Sequence, residues 1–105
     1  MKPEIKTKWV EALRSGEYQQ GKYKLIENEK YCCLGVLSNL FAKEKGCDFP
    51  IEPFEVLRFD VVDWSGIDRT NPSLYFEDGH QSLTSLNDFV NLNFKELADL
   101  IEEQL

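Results

Sequence analysis

The chain contains 105 residues, of which 42% are hydrophobic, and its formal net charge is −7. This length predicts a single domain, 1–105, and the hydrophobic content argues against a disordered chain. No apolar stretch approaches the about 20 residues that a membrane helix needs, and the acidic balance disfavours nucleic-acid polymers and anionic lipid surfaces as partners.

The charge is unevenly distributed along the sequence. Residues 1–45 carry nine basic and six acidic side chains, whereas residues 46–105 carry three basic and thirteen acidic ones. One interpretation is a soluble surface on which the two signs attract each other. The other is a patch that favours anions, opposite an acidic face that binds a protein.

The three cysteines predict free thiols. An odd number cannot pair completely within one chain, and the adjacent Cys32 and Cys33 point in different directions on regular structure. The N-terminus begins with charged residues in place of the apolar run of a signal peptide. We therefore expect a cytoplasmic protein.

Helical and turn signals organise the first half of the chain. The apolar spacing, with a proline and a glutamate in the first turn, predicts an amphipathic helix over 3–14. A β-hairpin is expected next, with a strand around 23–25, a turn at 27–30 and extended chain at 31–32. A second helix is predicted over 33–45 and ends at the glycine that follows.

Prolines interrupt the middle of the chain. There the sequence predicts extended structure over 54–59 and a short helix that Asp60 caps and Gly66 ends. A strand over 73–77 is expected to lead into a tight turn at Asp78-Gly79.

Two capping signals mark the last third of the chain. Ser82 is expected to cap a short helix with three apolar residues on one face, Leu83, Leu86 and Val90. Asn93 and Glu96 form an N-cap pair for a helix over 94–104. Together the elements predict one α+β domain with helices at both ends around a small, mainly antiparallel sheet.

A cysteine hydrolase is the sharpest enzyme hypothesis. Cys33 opens a helix, where the dipole lowers a thiol pKa, and His80 and Asn87 or Asp88 follow it in the order of papain-like proteases. However, cysteines that open an apolar helix are usually small core residues, and a histidine after Asp-Gly is usually solvated. Packing is therefore the favoured interpretation, and an enzyme the less favoured one.

The residue spacing does not fit a structural zinc site or an EF-hand calcium site. Structural zinc sites pair ligands two to four residues apart, which is not the spacing of the four candidates Cys32, Cys33, Cys47 and His80. An EF-hand loop needs ligands at alternate positions, and Val62 occupies one of those positions in the acidic run Asp60, Asp63, Gly66 and Asp68. The sequence predicts no metal and no cofactor.

The segment 14–24 has the composition of a site for an anion or a nucleotide. Arginine offers a bidentate fork, glycines let backbone N–H groups approach a ligand, and tyrosine stacks on a base. Against this, the C-terminus of a helix repels anions, and a polar loop between helix and strand would look the same. The candidate ligand-binding residues are Arg14, Tyr18, Gln20, Lys22 and Tyr23.

The acidic side chains offer an alternative function. They could imitate nucleic-acid phosphates and block a host enzyme, but such mimicry needs a regular spacing, and a solvated face explains a modest charge excess equally well. The residues concerned are Glu52, Glu55, Asp60, Asp63, Asp68, Glu77, Asp78 and Asp88.

Four sequence blocks resemble a family of small proteins encoded by bacteriophages and prophages. The blocks are KWVEALRSGEYQQG at 8–21, YCCLGVL at 31–37, LTSLND at 83–88 and FKELADLIE at 94–102. They cover roughly half of the chain, and the first two are distinctive in combination. The resemblance implies a protein of the host cell cytoplasm that counters host defence by binding.

The expected function is therefore a non-enzymatic, phage-type counter-defence protein that sequesters a small anionic ligand, in particular a nucleotide, through the segment 14–24. Inhibition of a host protein through an acidic face and a small cysteine hydrolase remain the alternatives. The thirteen aromatic residues also allow a homo-oligomer through an exposed apolar patch.

Overall fold

The computed structural model describes residues 1–46 and 55–105, in which helices and short strands alternate. The described elements in chain order are α1 (Pro3–Ser15), β1 (Gln19–Gln20), β2 (Ile26–Glu27), β3 (Lys30–Tyr31), α2 (Cys33–Lys45), α3 (Phe59–Ser65), β4 (Ser73–Phe76), β5 (Gly79–Ser82), α4 (Leu83–Asp88) and α5 (Phe94–Gln104). This arrangement confirms the α+β prediction, with helices at both ends of the chain.

The first helix, α1, packs against both α5 and α2. The apolar stripe of α1 is buried, and the indole of Trp9 donates a hydrogen bond to the backbone oxygen of Cys33, 2.9 Å away. The apolar side of α5 buries Leu97 and Ile101 in the same core. This pairing brings the C-terminal end of α1 beside the N-terminal part of α5.

The first three strands form a small mixed sheet in the order β1-β3-β2. The hairpin β2-β3 confirms the expected antiparallel pair, whereas β1 runs parallel to β3 with Gln20 opposite Tyr31. The prediction of a strand around 23–25 was wrong, because Tyr23 has a φ of 74° and interrupts extended structure. The strands β1 and β2 lie on either side of that interruption.

Helix α2 lies directly on the chain that precedes β2. A Cβ atom placed on Gly35 would come within 1.8 Å of the backbone oxygen of Leu25, so only glycine allows this approach. The sulfur of Cys32 caps the helix by accepting from the Gly35 N–H at 3.4 Å. The predicted glycine end is confirmed at Gly46, which is left-handed.

Two boundaries in the second half differ from prediction. The N-cap of α3 is Arg58, two residues before the expected Asp60, although Gly66 ends the helix as predicted. Residues 55–58 are not a strand, and Phe54 lies outside the described residues. The turn of the β4-β5 hairpin is Glu77-Asp78, one residue earlier than expected, because Gly79 already pairs with Phe76.

The capping signals of the last third are confirmed. The Ser82 hydroxyl accepts from the Ser85 N–H at 3.2 Å, and Asn93 and Glu96 form a complete capping box on α5. Val90 lies beyond the end of α4. Among the described helices, none has the length and apolar character required to cross a membrane.

Candidate functional site

A cleft of about 370 Å³ opens where the end of α1 meets the start of α5. The turn after α1 forms one wall and the first turn of α5 forms the other. The structure brings three of the five predicted ligand-binding residues together here, Arg14, Tyr18 and Gln20. The other lining residues are Leu13, Gly16, Asn93, Phe94 and Lys95.

The guanidinium of Arg14 is held by two carboxylates of α5. It donates to Asp99 at 2.7 Å and to Glu102 at 3.2 Å. The hydrogen bonds to Glu102 and Asp99 raise the pKa of Arg14 above its ordinary value. Arg14 therefore joins the two terminal helices while its side chain also lines the cleft.

Contacts with α2 and β3 hold Tyr18 in place. Its hydroxyl donates to Asn39 Oδ1 at 2.6 Å and accepts from Lys43 Nζ at 3.3 Å, and its ring meets the Tyr31 ring edge-on at 5.0 Å. These contacts occupy the hydroxyl with helix α2. Tyr18 therefore lines the cleft with its hydroxyl already engaged, and Lys43 Nζ lies 5.4 Å from the centroid of its ring.

Gln20 belongs to a polar network that reaches the core. Its amide nitrogen donates to Asn87 Oδ1 and to the Leu92 backbone oxygen, each at 2.8 Å. The fully buried Asn87 in turn donates to the Gly21 backbone oxygen at 2.9 Å and to Asp88 Oδ1 at 2.7 Å. The network fixes the loop after β1 against the end of α4.

A second cavity of about 220 Å³ shares Gln20 and Asn93 with the cleft. It contains the fourth predicted residue, Lys22, whose ammonium group donates to the side chain of Asn91. The fifth, Tyr23, lies in neither cavity. Its ring packs on Phe89 at 5.8 Å and lines a third cavity.

Sequence reasoning missed the contribution of helix α5. Asn93, Phe94 and Lys95 complete the cleft, and the first N–H groups of a helix carry partial positive charge and lack partners within the helix. The capping pair Asn93 and Glu96 located this helix start correctly. Only the packing of α5 on α1 brings it to the predicted loop.

The geometry opposes the hydrolase hypothesis. Cys33 is completely buried, its thiol points to the Leu83 backbone oxygen at 3.9 Å, and burial raises its pKa well above the ordinary value. His80 is exposed on β5 and packs against the Tyr75 ring. A protonated, buried thiol cannot attack a substrate, since the thiolate is the nucleophile.

The candidate metal ligands are dispersed. Cys47 lies outside the described residues, and across 1–46 and 55–105 no three side chains of His, Cys, Asp or Glu come together in a way that could hold a metal ion. Asp60 pairs with Arg58 at 3.0 Å and accepts from the Val61 N–H. It thus stabilises the start of α3.

The acidic residues do not all share one solvated face. Asp88 is 6% exposed, whereas Glu55, Asp60, Asp63, Asp68, Glu77 and Asp78 are exposed. Glu52 lies outside the described residues. Asp88 is therefore wrongly grouped with surface charges that would contact a protein partner.

Comparison with known proteins identifies a family but no activity. A family model described as Domain of unknown function (DUF8296) matches residues 1–105. No curated protein and no solved structure matches the chain significantly.

Proposed function

Because the chain belongs to this family, whose description states no activity, we propose from the geometry that it is a non-enzymatic binding protein for a small phosphate-bearing anion, in particular a nucleotide. The observation that supports the proposal is the cleft itself, in which Arg14, Lys95 and the first turn of α5 lie together. Sequestration of such a ligand in the host cell cytoplasm is the counter-defence role that the resemblance to phage proteins suggests.

Two features offset the repulsion expected from the end of α1. Asn93, Phe94 and Lys95 at the start of α5 line the cleft, and the N-terminal end of a helix dipole favours phosphate and carboxylate ligands even though the capping box engages the Asn93 and Glu96 N–H groups. Lys95 adds a positive charge, and none of the ion pairs among the described residues involves it. Lys95 is therefore the cation that a ligand engages without displacing a carboxylate.

Arg14 plays a different part from Lys95. A guanidinium carries five N–H donors, and the two partners on α5 use donors on both of its terminal nitrogens. A bound anion shares the remaining donors or competes with Asp99 and Glu102. Removal of those two carboxylates is expected to strengthen anion binding.

The test is a calorimetric titration with inorganic pyrophosphate and a panel of nucleotides. We expect Lys95→Ala to lower the pyrophosphate affinity about three- to tenfold, since it removes one charge-assisted contact. The control Lys45→Ala removes an equal charge from the last turn of α2 and should leave the affinity unchanged. The double variant Asp99→Asn/Glu102→Gln should bind more tightly than the natural chain.

The proposal fails if neither pyrophosphate nor any nucleotide binds at about millimolar concentration. It also fails if Lys95→Ala and Lys45→Ala weaken binding equally, because the effect then comes from overall charge.

Inhibition of a host protein is the second candidate function. Phe59 is 79% exposed at the start of α3, on the same short helix as the exposed Asp60 and Asp63. Aromatic side chains are enriched in the centre of protein interfaces, and polar or charged side chains surround them at the rim. Phe59→Ser should abolish capture of a specific host protein and Asp60→Asn/Asp63→Asn should weaken it, whereas Tyr75→Ser on β4 should do neither.

A further inference from the structure

We infer that the cavity between Tyr23, Asp88 and Phe89 is the subsite for a guanine base, so that the preferred ligand is a guanine nucleotide. The inference rests on the proposed function, because it assigns the base of the ligand whose phosphate lies in the cleft. The cavity has a volume of about 300 Å³.

A buried carboxylate defines the chemistry of this cavity. Asp88 lines it and is only 6% exposed. Within residues 1–46 and 55–105, its carboxylate accepts one hydrogen bond, from Asn87 Nδ2 at 2.7 Å, and takes part in none of the ion pairs. A buried carboxylate retains capacity for several donors, which a ligand can satisfy.

Asp88 is the side chain of this cavity that we expect to recognise the ligand. Asn71 and Thr84 also line the cavity, but they bond to each other at 2.9 Å. Glu55, an exposed lining residue, adds negative charge, which disfavours a phosphate at this position. The cavity therefore suits a neutral group that is rich in hydrogen-bond donors.

Guanine matches a carboxylate better than the other bases do. Its N1–H and 2-amino group are two adjacent donors on one edge, and a carboxylate accepts two parallel hydrogen bonds. Adenine presents one amino group beside the acceptor N1, which would face the carboxylate unfavourably. Inosine retains the N1–H but lacks the 2-amino group, so it isolates one of the two contacts.

Two aromatic rings provide a surface for stacking. Tyr23 is 57% and Phe89 70% exposed, and their centroids are 5.8 Å apart. Tyr23 has a φ of 74°, a strained conformation for a residue with a side chain. Stacking on such rings contributes to affinity without distinguishing one base from another. The choice of base is therefore assigned to Asp88.

The base cavity lies next to the second cavity, which contains Lys22. Lys22 and Asn87 line the second cavity, and their chain neighbours Tyr23 and Asp88 line the base cavity. Consecutive Cα atoms are about 3.8 Å apart, so the two cavities are neighbours along the segments 22–23 and 87–88. The second cavity in turn shares Gln20 with the cleft.

The test compares GMP, IMP, AMP, guanosine and pyrophosphate by calorimetry on the natural chain and on Asp88→Asn. The asparagine keeps an oxygen for Asn87 and replaces one acceptor by an amide donor, so the fold is retained. We expect Asp88→Asn to weaken GMP binding at least about tenfold, whereas pyrophosphate still binds. Phe89→Ala should weaken GMP and guanosine, whereas Tyr75→Ala, which removes another exposed ring, should not.

Each result discriminates between the base subsite and the anion site. If pyrophosphate binds while GMP, IMP and AMP bind equally, or Asp88→Asn binds GMP normally, the guanine subsite is wrong and the anion site stands. If guanosine binds in an Asp88-dependent manner and pyrophosphate does not, the subsite stands and the anion cleft is wrong. If none of the five binds, both are wrong.

Discussion

Gln20 and Asn87 form a hydrogen bond of 2.8 Å although they lie 67 residues apart in the sequence. The bond connects β1 to the end of α4, and Asn87 extends it to Gly21 and to Asp88. The same two side chains line the cavity next to the cleft. The network that stabilises this part of the fold therefore also fixes the walls of the candidate site.

Gln20→Ala is expected to lower the free energy of unfolding by about 1–3 kcal/mol. The substitution leaves the buried Asn87 oxygen and the Leu92 carbonyl without their donor, and unmade buried hydrogen bonds cost that amount. Urea unfolding measures the change. Gln19→Ala is the matched control on the exposed side of β1 and should stay within about 0.5 kcal/mol. Equal effects of the two substitutions would contradict a structural role for the network.

Gly35→Ala is expected to destabilise the protein by about 3 kcal/mol or more, or to prevent folding. A Cβ at this position would overlap the Leu25 backbone oxygen, and backbone cannot move aside as a flexible side chain can. Gly79→Ala is the control, since no heavy atom lies within 4 Å of the added Cβ. That variant should be neutral or slightly more stable in a thermal unfolding measurement. A tolerated Gly35→Ala would show that α2 does not lie on Leu25 in solution.

The buried Cys32 thiol is expected to make stability fall at alkaline pH. Burial raises its pKa from 9.0 to about 11. Between these values the unfolded chain loses the thiol proton and the folded chain keeps it, so the free energy of unfolding decreases as pH rises, by about 3 kcal/mol in total.

Cys32→Ser isolates this effect, because serine is a good N-cap for α2 and does not titrate in this range. Urea unfolding at about pH 8 and about pH 10.5 should show a smaller alkaline loss for the variant than for the natural chain. An identical loss would indicate that the thiol is accessible in the folded state.

Local signals in the sequence were sufficient for the three longest helices. Pro3, Gly46 and the Asn93–Glu96 pair act within a few residues of each helix end, so their effect is independent of the rest of the fold. The parallel pairing of β1 with β3 was not predictable in this way. Between β1 and β2 the chain passes through the left-handed Tyr23, a conformation that no local turn signal marks.

The candidate site was predictable in part for the same reason. Arg14, Tyr18 and Gln20 lie close in sequence, so a continuous segment identified them together. The contribution of Lys95 depends on the packing of α5 against α1, and the burial of Asp88 depends on the network around Asn87. Such contacts between distant segments leave no periodic pattern in a single sequence.

Amide chemical-shift mapping of the ¹⁵N-labelled protein during a pyrophosphate titration tests the central claim most directly. We predict saturable shifts at Gly16, Gln20, Phe94 and Lys95, which line the cleft, and unchanged resonances for the β4-β5 hairpin. Saturable shifts confined to the hairpin or to α3, or no shifts at all, would contradict an anion site between α1 and α5.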